Sequence, residues 1–556
     1  MKRLSWLVGP AVFLLFFGVY SYRLGIEPTY WHDDYEYTYP SFSLAERGNF
    51  GSPLLGTAFN IQNRTYHFTI YYYATVHAAL IRIFGDGPES IPLANAFHFA
   101  LLAGAGASIL FRRGGPVGML VFLYALTSDE RMVMAARHGR PEMTAGFGLT
   151  MGVLALWLFW VEGCRRPIVL FGMSAAFVAG MLTHTAVVFF VAALLLAFSV
   201  PLARHARFRD LVVAVLPYAA IPLLYGYFIL TDGLTNIRLQ LGPQEGNVMV
   251  GRLLAFVRHG EWGSLVGVTA EFVRTHVGHP AIGLAVAACL AAPALVPSRP
   301  ARSARFFAGV YVLFLLVHFL FLKVFVLSYR VIYQATLYLA LAFLAEAIVA
   351  RLREVSKRPR WPVALQVAAA AVLLFLTVAG WYRFHERLRE QRLPYAAMQA
   401  ALFDALLESG AHPGDRALVP TPFAFHLRRQ FDVVSYPPNW RYFYGYWAPS
   451  FGQGLHRLWG EQVLTGLDWQ DLCWAMGLAY IEPRWVVSWN MDNGVMQPFR
   501  RFFRRFPDLP GMELTKAHEM DLPPPFGGHV QVFRLELSDA VRAVERGTGN
   551  DEPRCP

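Results

Sequence analysis

The sequence predicts an α-helical polytopic membrane protein with about eleven transmembrane helices, a long first external loop with interfacial helices, and a C-terminal soluble α/β domain. Composition is the first of three observations behind this. The 556 residues are 55% hydrophobic and only 16% charged, with a mean hydropathy of +0.36, whereas soluble domains carry about 25% charged residues. Second, apolar runs such as Ala308 to Leu322 and Val367 to Val378 recur through the first two thirds. Each lies in a stretch of roughly 20 mostly uncharged residues, the length a helix needs to cross the hydrocarbon core. Third, charges become frequent from Tyr382 on, and no later stretch is long enough to span. The chain thus divides into a membrane part, 1–381, and an extracytoplasmic α/β part, 382–556.

Charge separates the two parts. Residues 1–381 carry 30 Lys and Arg against 18 Asp and Glu, whereas 382–556 carry 19 against 20. The cations cluster at Arg112-Arg113, Arg165-Arg166, Arg204/Arg207/Arg209, Arg299/Arg302/Arg305 and Arg351/Arg353/Lys357/Arg358/Arg360. The positive-inside rule puts all of these in the cytoplasm, next to anionic lipid headgroups. Spans near 7–22, 91–111, 117–128, 143–162, 168–182, 184–200, 211–230, 280–297, 306–326, 331–349 and 361–381 satisfy that parity. The N-terminus is then cytoplasmic and the C-terminal domain extracytoplasmic. Lys2-Arg3 and the apolar run to Tyr20 lack a small-x-small cleavage site and read as an uncleaved first span.

Thr69 to Phe84 is apolar but short and contains His77 and Arg82. Spanning here would move every later basic cluster outside, so this segment is expected as a helix on the outer membrane surface. The segment 231–279 is expected as an external flap. In the tail, Tyr395 to Ser409 has helical spacing. Arg416 to Val419, Phe431 to Ser435, Ala479 to Ile481, Val486 to Trp489 and Val530 to Arg534 read as short strands. The aromatic run Tyr436 to Trp447 suits packing against the core or the membrane interface, or stacking on sugar rings.

Ionisable residues gather at the outer ends of the spans: Asp33, Asp34 and Glu36, then Asp129, Glu130, Arg131, Arg137, Arg140 and Glu142, and later Lys323 and Arg330. Such groups are costly beside a bilayer unless they pair or are used. Mutual pairing at the interface is one reading of them and a functional site the other. His276 and His279 form a HVGH pair, but two imidazoles without further ligands do not make a metal site. The four cysteines show no CxxC pair or metal-ligand spacing, so no metal or other cofactor is implied. The sequence contains no nucleic-acid-binding motif, and no nucleotide-binding Gly-rich turn follows any predicted strand.

The stretch from Trp31-His32-Asp33-Asp34-Tyr35 to Leu44-Ala45-Glu46-Arg47-Gly48 resembles the first external loop of GT-C glycosyltransferases, specifically the protein O-mannosyltransferase and lipid A aminoarabinose transferase group. In that group a first span leads into an acidic pair, a short helix, a Gly turn and a surface helix near an aromatic stretch. Here these are Asp33-Asp34, Gly48 and Tyr71-Tyr72-Tyr73. Ala136-Arg137-His138-Gly139-Arg140-Pro141-Glu142 is similar to the group's basic motif between the third and fourth spans, and Ser328-Tyr329-Arg330 to a basic position before a late span. The sequence has Asp34 where Glu is usual, Glu142 where Asp is usual, and Tyr66-His67-Phe68 without the expected prolines. The resemblance follows residues 1–381 in order.

The resemblance implies transfer of a sugar, with inversion, from a polyprenyl-phosphate donor to a hydroxyl of an envelope glycan, lipid or protein. Such a donor is already activated, because its leaving group is a phosphate of low basicity. The enzyme must take a proton from the acceptor and stabilise charge on the departing phosphate. Asp33 is assigned as the base, with Asp34 beside it. Arg137, Arg140 and Arg330 are the phosphate candidates, since guanidinium matches phosphate geometry. His67 and Glu142 are candidates for acceptor binding or orientation. A transporter or flippase of lipid-linked sugars is the alternative, but it should show internal repeats, and the sequence has none.

Overall fold

The structure, a computed structural model of the chain, describes residues 6–24, 32–51, 71–113, 115–205, 207–232, 256–277, 280–322, 329–355, 360–390, 395–420, 423–424, 427–436, 454–455, 457–460, 469–490, 509–521 and 529–544. Helix α1 (Val8–Ser21) precedes the two loop helices α2 (His32–Arg47) and α3 (Tyr71–Phe84). Next come α4 (Leu93–Arg113), α5 (Pro116–Ser128), the short α6 (Glu130–Arg137), α7 (Glu142–Trp160), α8 (Pro167–Met181) and α9 (Ala186–His205). They are followed by α10 (Phe208–Val215), α11 (Ala220–Asp232), α12 (Trp262–Phe272), α13 (Pro280–Leu295), α14 (Arg299–Phe321), α15 (Tyr329–Val355) and α16 (Arg360–Glu390). Six described helices are long and apolar enough to cross a membrane, and five more are shorter apolar helices. The expected span at 211–230 is helix on both sides of a 3-10 turn at Leu216–Ala219, where Pro217 lacks the N–H that a continuous ladder needs.

Helices α4, α7 and α15 form the centre of the bundle, while α10, α11 and α16 lie at its margin. Leu230 on α11 is 88% exposed and Phe375 on α16 71% exposed, as lipid-facing residues should be. Helices α7 and α8 cross at Gly148 and Gly180, where a Cβ on Gly148 would stand 2.8 Å from the Gly180 nitrogen. Small residues at such a crossing let two backbones approach closely.

Buried carboxylates tie together the end of the bundle away from the C-terminal domain. Glu162, just past α7, accepts from Arg113 of α4 at 3.2 Å and from Arg299 of α14 at 2.8 Å. Glu346 of α15 accepts the Gly118 N–H at 2.6 Å, capping the start of α5 from a neighbouring helix. Gly115 precedes that start with φ +138°, and a Cβ there would stand 2.5 Å from the Glu346 carboxylate. Only glycine meets both conditions.

The C-terminal part is an α/β unit with helices α17 (Tyr395–Glu408) and α18 (Trp469–Ile481). Its strands are β1 (Arg416–Pro420), β2 (Asp432–Tyr436), β3 (Trp485–Asn490), β4 (Met512–Asp521) and β5 (His529–Leu537), in the order β2-β1-β3-β5-β4. Strand β1 runs parallel to β2 and β3; β5 runs antiparallel to β3 and β4. Four of the expected strands form. Ala479 to Ile481 does not: it is the last turn of α18, where Ala475, Leu478, Ala479 and Ile481 complete a buried helical stripe. Strand β4 has no expectation behind it. The boundary expected at residue 381 falls inside α16, which continues to Glu390. The aromatic run at 437–447 lies outside the described residues.

Helix α3 forms at the expected segment but is more buried than a helix lying on a surface. Tyr73, Ala74 and His77 are fully enclosed between α2 and α4, and Ile83 and Phe84 remain exposed near its end. The reason is that apolar residues occupy two faces, so both find cover. Ile81 joins Tyr39 and Phe42 of α2 in a cluster with Leu402, Leu406, Phe423 and Leu427 of the C-terminal domain. Arg428 stacks over Phe42 at 5.3 Å and donates to Glu46 at 2.6 Å and Asp86 at 3.3 Å, while Arg429 reaches Asp86 at 2.5 Å. Burial opposes ionisation of Asp86, but the two arginines hold its carboxyl below the usual range. Removing Arg428, whose side chain is 9% exposed, should leave Glu46 and Asp86 short of a partner. Arg428→Ala should raise hydrogen exchange in α2 on the order of 100-fold, about 3 kcal/mol. Unchanged exchange would mean that the apolar cluster alone holds the domain.

Candidate functional site

The site is built at the end of the bundle that faces the C-terminal domain. Asp33 and Asp34 occupy the first turn of α2; their side chains and His67 lie outside the described residues. Helix α2 ends at Gly48, whose φ of +76° supplies the left-handed residue that stops a helix. There Ser43 donates to the Asn49 side chain at 2.5 Å, locking the turn.

Arg137 ends α6 and is 1% exposed. Its Nη1 donates to the carbonyls of Tyr20 and Tyr22, both at 2.9 Å, and its Nη2 to that of Arg23 at 2.8 Å. The guanidinium also lies over the Phe384 ring at 5.1 Å. A helix end leaves carbonyls without partners and favours a cation. Arg137 therefore caps α1 and binds the chain that leaves it toward α2, a structural duty not foreseen in its sequence reading as a phosphate ligand.

The turn after α6 is held by its carbonyls. Asn95 Nδ2 donates to the oxygen of His138 at 2.6 Å and to that of Arg140, and the Tyr73 hydroxyl donates to Gly139 at 2.8 Å. Asn95 Oδ1 in turn accepts from Thr144 at 2.9 Å. His98 Nδ1 lies 2.7 Å from the Ala94 carbonyl, which can only accept, so that nitrogen carries the proton. His98 Nε2 is then the acceptor for the Tyr72 hydroxyl at 3.3 Å. Asn95, His98, Thr144, Tyr72 and Tyr73 were not singled out as site residues from the sequence. The available signal was Asn95 and His98, polar residues three apart in an otherwise apolar span.

That clamped turn presents Arg140, which binds one oxygen of Glu142 through Nε at 3.0 Å and Nη2 at 2.8 Å. The Glu142 side chain is 3% exposed and that of Arg140 30%. Glu142 is thus engaged in orienting Arg140. His184, between α8 and α9, lies beside this pair and packs edge-on against Tyr329 at 5.1 Å. Burial pushes the His184 pKa down; the nearby Glu142 opposes this and Arg140 adds to it.

Tyr329 opens α15, and Arg330 follows it. Arg330 Nε donates to Gln334 at 2.8 Å, and its Nη atoms make no hydrogen bond to the described residues. Gln334 also accepts from Tyr311 at 3.5 Å. Tyr338, one turn further along α15, donates to Asp129, which caps α6 by accepting from the Arg131 N–H at 2.9 Å. Tyr329 also neighbours the buried His318, which packs edge-on against His276 at 4.2 Å. His279 lies outside the described residues, among which no three His, Cys, Asp or Glu gather to hold a metal. The fold therefore brings Arg140 and Glu142 together, with His184 and the Tyr329–Arg330 helix start beside them, while Arg137 turns toward α1.

No family model matches the chain, and no curated protein matches its sequence. The structure is similar to the crystal structure of ArnT from Cupriavidus metallidurans bound to undecaprenyl phosphate, with a TM-score of 0.50 and 14% identity, covering 95% of this chain and 98% of that one. The apo state of the same protein gives a TM-score of 0.43 and 13% identity, covering 96% and 98%. The first likeness takes in membrane bundle and C-terminal domain alike. The chain has the fold of ArnT.

Proposed function

We propose that the protein is a membrane glycosyltransferase that moves a sugar from a polyprenyl-phosphate donor to a hydroxyl of an envelope glycan, lipid or protein. One observation carries the reading: on an ArnT fold, Arg330, whose Nη atoms make no hydrogen bond to the described residues, lies at the end of the bundle where α2 begins with two aspartates. The solved relative's undecaprenyl phosphate supplies the chemical class of the carrier. The basic clusters at the opposite end support a cytoplasmic N-terminus and an extracytoplasmic C-terminal domain.

In the proposed reaction Asp33 takes the acceptor's hydroxyl proton as that oxygen attacks the anomeric carbon. The bond from that carbon to phosphate oxygen breaks, the configuration inverts, and polyprenyl phosphate leaves with the electron pair. Arg140 and Arg330 stabilise the charge gathering on the phosphate. Glu142 holds Arg140 in place, and Asp34 orients the base or the acceptor, with His67 as a further acceptor contact. Arg137 acts indirectly, by fixing the end of α1 from which the chain runs to Asp33. The segment 231–279, of which α12 is the described helix, serves as a flap that keeps water from the sugar.

Asp33→Asn should leave the fold and donor binding intact and lower single-turnover transfer about 10²–10⁴-fold, since an amide cannot take the proton. Asp34→Asn should cost less. Full activity in both variants, assayed with donor already bound, would remove the acidic pair from the mechanism.

Arg330→Ala should weaken binding of undecaprenyl phosphate more than Arg330→Lys, because lysine keeps the charge and loses the planar fork. Two variants that bind like the parent would leave Arg330 as an interface anchor.

A further inference from the structure

His184 is the one residue in the middle of this site that the proposed reaction does not use. It lies in the connection Thr183-His184-Thr185, and its side chain starts α9 in the way an Asn or Asp would: Nδ1 accepts the N–H of Ala186 at 3.1 Å. That hydrogen bond uses the Nδ1 lone pair, so in the neutral ring the proton is on Nε2. The residue is only 9% exposed, yet its Nε2 makes no hydrogen bond to the described residues. Nε2 is not among the fully buried unpartnered atoms of the described residues, so this donor stays open to an acceptor from outside.

The surroundings indicate what such an N–H would meet. Arg140 and Glu142 lie within electrostatic reach on the α7 side. On the other side Tyr329 packs against the imidazole edge, and Arg330 is the next residue of that helix. Glu142 is already bound by Arg140 and forms no ion pair with His184, so the imidazole is not serving that carboxylate. The ring thus lies beside Arg140 and against the first residue of the helix that carries Arg330.

We propose that His184 Nε2–H is a third donor of an anion site formed with Arg140 and Arg330, and that it donates to a phosphate oxygen. A phosphate carried on a polyprenyl chain and a free phosphate share that chemistry; the lipid-borne one rests on the function proposed above. A neutral donor suits this place. It adds a directed hydrogen bond without a third positive charge, so the phosphate is held and still released after the sugar has left.

Two substitutions separate this role from the helix start. His184→Asn keeps an acceptor at the δ position, where Asn is among the best caps, but its amide is too short to reach the ε position. His184→Gln offers an amide N–H near the ε position and gives up the δ acceptor. Binding of undecaprenyl phosphate and of inorganic phosphate, each with thermal melting, is measured in detergent for parent and variants. His184→Asn should melt like the parent and bind undecaprenyl phosphate about ten- to hundred-fold more weakly, the loss of one hydrogen bond to a charged group. His184→Gln should bind within a few-fold of the parent even if it melts earlier.

Parent-like binding by His184→Asn would overturn the assignment and leave His184 as a helix cap, with the glycosyltransfer reading untouched. If the parent binds inorganic phosphate but not the lipid, with the same order of variants, the anion site stands and the lipid-donor reading falls. A parent that binds neither overturns both.

Discussion

Three hydrogen bonds from one buried guanidinium organise the end of the bundle that faces the C-terminal domain. Arg137 sits at the end of α6 and takes the carbonyls of Tyr20, Tyr22 and Arg23 at 2.8–2.9 Å. Inside a bilayer a helix end has no water to satisfy its last carbonyls, so a protein group must do so. Here that group comes from the same motif that carries Arg140. The path from α1 to the acidic turn of α2 is thereby tied to the basic turn between α6 and α7. The basic turn is itself held by Asn95 and Tyr73 through the carbonyls of His138, Gly139 and Arg140. The described residues of both, Tyr22 and Arg23 on one side and His138 to Arg140 on the other, lie outside helices and are held through their carbonyls by side chains from helices.

The two ends of the bundle use charge differently. Away from the C-terminal domain, carboxylates are buried among helix ends: Glu162 joins α4, α7 and α14, and Glu346 caps α5. Each of these carboxylates joins one helix to another. Toward the domain, Glu142 is equally buried, but its partner Arg140 is 30% exposed, and Arg330 is anchored by Nε alone. A guanidinium whose plane is fixed by a hydrogen bond and which is still partly exposed suits an anion site.

The C-terminal domain is attached to the same end and packs on the loop helices. Tyr39 and Phe42 of α2 and Ile81 of α3 are buried under α17 and the segment that carries Arg428. Helix α2 is thus held between the membrane bundle and the sheet domain. Its first turn carries Asp33-Asp34, so the domain stabilises the helix on which the proposed base rides. This gives the domain a physical role that needs no ligand of its own.

The sequence by itself determined the elements. A bilayer crossing demands a long apolar run, so the helices could be placed along the chain, although α14 begins at Arg299 rather than 306 and α16 runs to Glu390 rather than 381. Strands β1, β2, β3 and β5 were legible because each has a dense apolar core, and Gly48 because a helix stop needs φ above zero. Strand β4 was not legible. Its sequence, Met512–Asp521, is polar and becomes a strand by pairing with β5 at the sheet edge. The last residues of α18 look like a strand until their place on a helical stripe is known. Candidate site residues were readable as types, since arginines and carboxylates at span ends are expensive and therefore conspicuous. Which arginine caps a helix and which pairs with a carboxylate near the surface was decided by tertiary structure alone. Arg137 and Arg140 are three positions apart with the same chemistry, and only the packing of α1 beside α6 turns one inward. His184 likewise reads as an ordinary turn residue until α7 and α15 close around it. Periodicity reports burial along one element, whereas the use of a polar group depends on what a distant part of the chain places within 3 Å of it.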